Sequence, residues 1–195
     1  MRLSTTMLAT AAMAVLWIAP GSAFAAMSGA CAAVPSMDRA PAATFTEATN
    51  LMSDIEVRSA DVATTADGLV ITPVPSTDTW QFQTQEVATI KSDINQMGKD
   101  LCRLKEMRAS LPMWEQHAID LLYPRLAGMA NNTTNAIQFI NSSQTALWRP
   151  ELRRYESAVD SQAHNLTRMA DTYVDYARVH KRDQQLARSL NITAS

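Results

Sequence analysis

The sequence predicts an all-α protein, an antiparallel up-and-down bundle of about four helices, three of them long and a shorter one on the N-terminal side. Three observations carry that reading. From residue 44 onward, apolar or small residues recur at alternating intervals of three and four through four separate stretches, the period of one helical face. The stretches are separated by Gly, Ser and Pro, the residues that cap or interrupt helices. The strict two-residue alternation of a half-buried strand is almost absent, which leaves helix packed on helix as the architecture.

Residues 1–25 read as a secretory signal. Arg2 is the charge of the first few residues, and Thr6 to Ile18 is an apolar run of about 13 residues. Pro20 and Gly21 then break it, and Ala23-Phe24-Ala25 places small residues where a signal peptidase reads, so cleavage falls after Ala25. The run is too short to cross a bilayer, which takes about 20 residues. Removal of Arg2 leaves 16 basic against 19 acidic residues, a net charge of −3. Such a chain lacks the basic face that nucleic acid requires. Residues 26–43, rich in Ala, Pro, Ser and Gly, read as a flexible linker, and residues 44–195 as one bundle domain.

The first helix starts at Thr44, where Thr44-Phe45-Thr46-Glu47 fits a capping box. Its stripe is Phe45, Ala48, Met52, Ile55, Ser59, Val62 and Ala66, and Asp67-Gly68 supplies a left-handed end. Leu69 to Thr77 holds two prolines and reads as extended. The second helix runs from Asp78 to about Ala109 with the stripe Trp80, Gln83, Val87, Ile90, Ile94, Met97, Leu101 and Leu104. Ser110 and Pro112 mark a turn and a new start.

The third helix covers Pro112 to about Leu147. Pro124 removes one internal hydrogen bond and should kink it, and Gly128 with Asn131 to Asn135 are poor helix formers, so the kink or break is expected between Pro124 and Asn132. The fourth begins at Pro150, a favoured first helical residue, and reaches Leu190. Its expected stripe is Leu152, Tyr155, Val159, Gln162, Leu166, Met169, Tyr173, Tyr176 and His180. Trp80, Trp114 and Trp148 recur every 34 residues, the period of tetratricopeptide repeats. The other signature positions hold Gln83, Thr84, Val87 and Gln96, none of which matches, so the spacing reflects a Trp near each helix start.

Two cysteines, Cys31 and Cys102, leave three options open. Export favours a disulfide. Ser28-Gly29-Ala30-Cys31 ends like a lipobox, which would make Cys31 a lipidated N-terminus, but Ser28 replaces the usual large aliphatic and the cysteine lies about a dozen residues past the apolar run. Free thiols are the third. If the first two helices are antiparallel, residues near 100 lie beside the start of the first helix, level with the entry of the linker that carries Cys31.

Nucleophile elbows, phosphate loops, zinc pairs and EF-hand loops are absent from the sequence. Asp160/His164 and His117/Asp120 are each one helical turn apart and read as solvated acid–base pairs, since a metal site needs three or four ligands. Met52 and His180 fall on the stripes of the first and fourth helices at similar depth, and Met/His is an axial set for haem in helical bundles; both are also ordinary helix residues. The methionines form no M-x-M or M-x-x-M cluster. Asn131, Asn132, Asn141, Asn165 and Asn191 open Asn-x-Ser/Thr sequons, mostly in expected helix.

Together these features lead to the expectation of a periplasmic or secreted, non-catalytic bundle that acts through protein–protein contact as an envelope adaptor, secretion accessory or chaperone-like binder. No cofactor, metal or transmembrane span is expected in the mature chain. The alternative is a small-ligand or b-type haem-like carrier that uses the bundle interior, with Met52 and His180 as its cofactor ligands. The 69–77 connection and the break in the third helix are the surfaces expected to meet a partner.

Overall fold

The computed structural model describes residues 41–71, 79–143, 147 and 149–190. Among these the chain forms four long helices and no strand: α1 (Pro41–Ile71), α2 (Thr79–Met107), α3 (Met113–Ser142) and α4 (Pro150–Ser189), with a 3-10 turn at Arg108–Ser110 between α2 and α3. Each helix packs against its two neighbours in a closed ring, and the contact of α1 with α4 is the most extensive.

Cross-helix contacts fix the register. Glu47 pairs with Arg103, and Arg58 lies 3.4 Å from Asp93, so α1 and α2 run antiparallel with residues near 100 beside the start of α1. Arg108 grips Asp120 through two hydrogen bonds (3.0 and 2.6 Å), and the Lys105 ammonium sits 3.6 Å above the Tyr123 ring. Asn132 Nδ2 donates to Gln162 Oε1 (3.0 Å) across α3 and α4. Thr167 Oγ1 lies 3.0 Å from Ser59 Oγ across α1 and α4, closing the ring.

The core follows the three-and-four stripes. Met52, Ile55, Met97, Leu101, Leu122, Leu126, Met129 and Leu166 are among its buried side chains. On α2 the stripe from Gln83 to Leu104 is buried as expected. On α4 it is rotated from the expected face. Leu152, Glu156, Val159, Ala163, Leu166, Ala170, Val174 and Ala177 are buried, whereas Tyr155, Met169 and Tyr173 flank the core and Tyr176 is exposed. Close approach of α4 to α1 explains the rotation. Ala48, Ser59, Ala63 and Ala66 on α1 face a stripe with three alanines on α4, and small side chains let two backbones come near while large ones are displaced to the flanks.

Several features differ from the sequence reading, among them the end of α3, which stops at Ser142 rather than near Leu147. α1 begins at Pro41, so residues 41–43 are helical rather than linker, Thr44 is interior to the helix, and Glu47 serves an ion pair with Arg103. α1 also continues through Gly68 to Ile71 because Leu69, three residues after Ala66, extends the buried stripe; at 31 residues it is not the shorter helix. α3 is continuous through Pro124 and Asn131–Asn135. Met129, Thr133, Ala136 and Ile140 keep its buried face intact, and Thr134 and Asn132 return hydrogen bonds to the carbonyls of Ala130 and Gly128. Gly128 is functional in packing: a Cβ there would lie 3.0 Å from Gln162 Nε2, the side chain that Asn132 holds. Most of the 69–77 connection, and the Cys31, linker and signal readings, lie outside the described residues.

Candidate functional site

The interior carries carboxylates where the stripe spacing calls for apolar residues. Glu115 is 0% exposed and Glu156 4%. Neither Glu115 oxygen has a hydrogen-bond partner among the described residues, nor does Glu156 Oε1. Removal from water penalises the charged form of an acid, and burial pushes both carboxyls up from the usual carboxylate range to about 7. For Glu156 the Arg153 guanidinium, one turn earlier on α4, opposes that rise without cancelling it.

Glu156 faces a cavity of about 10 Å³ bounded by two residues from each helix: Ala66 and Leu69, Val87 and Ile90, Thr133 and Ala136, and Glu156 with Val159. That volume is about one water molecule. Thr133, 2% exposed, brings a second buried oxygen without a partner, and Gln83, one turn before Val87, buries an unpartnered amide. The upper third of the bundle thus gathers Gln83, Thr133 and Glu156 into a polar layer.

Glu115 belongs to the opposite end, the base of the bundle where α3 begins. Stepping from the Asn132–Gln162 contact places Glu156 level with Gln138, 23 residues along α3 from Glu115, or about 34 Å at 1.5 Å per residue. Two carboxyls so far apart cannot share a proton or a substrate as an acid–base pair. No group of three or more potential metal ligands assembles among the described residues.

An aromatic cluster lies at the base. Trp114 packs edge-on between Phe45 (centroids 6.2 Å apart) and Tyr176 (4.8 Å), and the His180 ring stacks on Tyr176 at 6.2 Å. Met113, 86% exposed, and Val179 lie beside this cluster in sequence and on the surface.

Met52 and His180 are not brought together. The Ser59–Thr167 contact places Met52 level with Val174, six residues or about 9 Å from His180 along α4. Met52 is a buried core residue, while His180 sits at the surface with its Nε2 3.0 Å from the Gln184 amide. Asp160 and His164 form an intrahelical contact at 3.0 Å on the solvent side. Cys102 is buried on α2 and level with Ala48, and Cys31 lies outside the described residues. No helix of the described residues is long and apolar enough to cross a membrane.

The sequence reading singled out neither Glu115 nor Glu156. The signal was present: each occupies a stripe position, Glu115 four residues before Ile119 and Glu156 between Leu152 and Val159. No protein-family model, curated protein or solved structure matches this chain.

Proposed function

We propose that the chain is an exported, non-catalytic bundle that acts in the cell envelope through protein–protein contact, as an adaptor, a secretion accessory or a chaperone-like binder. Residues 1–25 are its export signal, removed after Ala25. The observation that carries the reading is where the chemistry lies. Among the described residues the bundle interior is lined by buried, mostly apolar side chains, and the cavity beside Glu156 is about 10 Å³, whereas Met113, Tyr176, Val179, Leu186 and Leu190 present apolar surface outside. Apolar surface of that kind marks contact sites.

Export also makes a Cys31–Cys102 bridge part of the proposal. Support comes from three facts: no cysteine among the described residues is free, Cys102 sits level with the first turns of α1, and Cys31 lies ten residues before Pro41, within reach of roughly 33 Å of extended chain. The bridge closes a loop of 72 residues, which stabilises the fold by about 4 kcal/mol on the chain-entropy account.

The test is expression of the full chain in a bacterial host, followed by fractionation and intact mass before and after reduction. The expected product is periplasmic or secreted, starts at Ala26 and gains the mass of two hydrogen atoms on reduction. In the same cells a photo-crosslinker at the exposed Met113 traps one discrete envelope protein other than the chain itself, and one at the exposed Arg153, near the other end, does not. Cytosolic protein that keeps residues 1–25, or identical crosslinking from both positions, contradicts the reading.

A further inference from the structure

Among the described residues α4 outreaches its neighbours at the base of the bundle. From the Ser59–Thr167 contact, the start of α1 at Pro41 is level with Gln185, and from the Asn132–Gln162 contact the start of α3 at Met113 is level with Lys181. α4 continues to Ser189, so its last turns project beyond both. Leu186 and Leu190 lie on this stretch, Tyr176 and Val179 lie beside the first turns of α1 and α3, and all four are between 52% and 66% exposed. With Asp183 they occupy positions 176, 179, 183, 186 and 190, intervals of three, four, three and four. That is the a/d spacing of a helix seam that packs against another helix. At 100° per residue the seam centres about 200° round α4 from Ala177 and Val174, which face the core. It is a second apolar face, of which the described residues engage only Tyr176, through the edge of Trp114 and the His180 ring.

The seam is symmetric about its centre. Two apolar residues stand on either side of Asp183, and Arg182 is next to it. Neither Arg182 nor Asp183 is paired with another described residue, whereas Arg178 is engaged by Asp175 at 2.8 Å. A surface that reads alike from both directions, with an unpaired acid and an unpaired base at its midpoint, is self-complementary in the manner of a two-fold interface.

We infer that this seam of α4 binds a second copy of the same chain, two α4 helices crossing antiparallel about a two-fold axis at Arg182–Asp183. Arg182 of each copy then faces Asp183 of the other. Val179 meets Leu186, and Tyr176 meets Leu190, on both sides of the axis. Charge decides the direction. A parallel pair would set Asp183 against Asp183 and would bring the two bundle bodies side by side, whereas the antiparallel pair joins opposite charges and carries the bodies away from each other. The seam spans about 21 Å along the helix and offers four apolar side chains per copy, so the interface is small and the dimer weak, with Kd roughly in the tens of micromolar. The inference does not rest on the exported-adaptor reading.

The experiment is sedimentation equilibrium of the processed chain from about 5 to about 500 µM. The expected weight-average mass rises from one chain toward two across that range. Val179→Asp and Leu186→Asp, at exposed positions that leave the core untouched, keep the helical circular dichroism and weaken association at least about 30-fold. Arg182→Glu alone and Asp183→Arg alone each weaken it about fivefold or more, and the double exchange Arg182→Glu/Asp183→Arg restores it. A mass of one chain at every concentration overturns the inference. So does a dimer indifferent to Val179→Asp and Leu186→Asp, or a double exchange no better than either single change.

Discussion

Replacement of Glu156 by Gln tests the polar layer most sharply. Burial favours the protonated carboxyl, so the folded chain keeps this proton between the ordinary value of 4.5 and its own value of about 7, where the unfolded chain has already lost it. The folded state binds more protons over that window, and stability therefore falls as pH rises from about 4.5 and levels off above about 7. The displacement corresponds to about 3 kcal/mol at most. Gln keeps the shape and a neutral polar end, and cannot ionise. It should match the parent near pH 4.5 and exceed it by about 2–3 kcal/mol at pH 8, or about 6–10 °C in melting temperature for a domain of this size. The assay is urea unfolding followed by circular dichroism from pH 4.5 to 8.5, parent against variant. Parallel curves, or a Gln variant less stable at pH 8, would refute the assignment of an unpartnered, buried carboxyl to this position.

Three further expectations concern single positions. Glu115→Gln should remove a pH dependence of the same sign and window, because burial raises that carboxyl to about 7 as well; the double variant should be nearly flat from pH 5 to 8, read by the same titration. Gly68→Ala should raise stability by about 0.5–1 kcal/mol in thermal unfolding, since Gly68 is inside α1 with open space around a Cβ, whereas a left-handed cap at Gly68 would make Ala destabilising. Thr133→Val should be neutral or stabilising by up to about 1 kcal/mol, because the hydroxyl that it removes is buried without a partner; a loss above about 1 kcal/mol would show that the Thr133 hydroxyl is paired after all.

Much of the fold could be read from spacing because burial on a helix depends on angle, and angle follows from residue number. α2 is the clearest case: each expected position from Gln83 to Leu104 is buried. α4 shows where spacing misleads. Tyr155, Met169, Tyr173 and Tyr176 draw the stripe to one side when apolar bulk is the guide, but Ala163, Ala170 and Ala177 line the contact because closeness to α1 selects small side chains. Local propensity reads Gly68 as a helix end and the Asn131–Asn135 run as part of a kink or break. Tertiary packing overrides those preferences of about 1 kcal/mol per residue when the buried stripe continues through Leu69 and through Thr133, Ala136 and Ile140. The buried carboxyls went unread for the same reason in reverse: a Glu on a helix is ordinarily solvated, and only its three-and-four spacing from Ile119, Leu152 and Val159 marks Glu115 and Glu156 as interior. The overhang of α4 depends on helix register, which the sequence does not carry.

Ring closure by α1 against α4 is the claim on which the core, the cavity and the projecting seam all depend, and cysteine crosslinking measures it. With Cys31 and Cys102 replaced by Ser, the pair Ser59→Cys/Thr167→Cys should form a disulfide rapidly on mild oxidation, because those side chains face each other across the α1–α4 contact. The pair Met52→Cys/His180→Cys should not, being about 9 Å out of step along the helix axis. Efficient bridging of 52 to 180 with none between 59 and 167 would contradict the register.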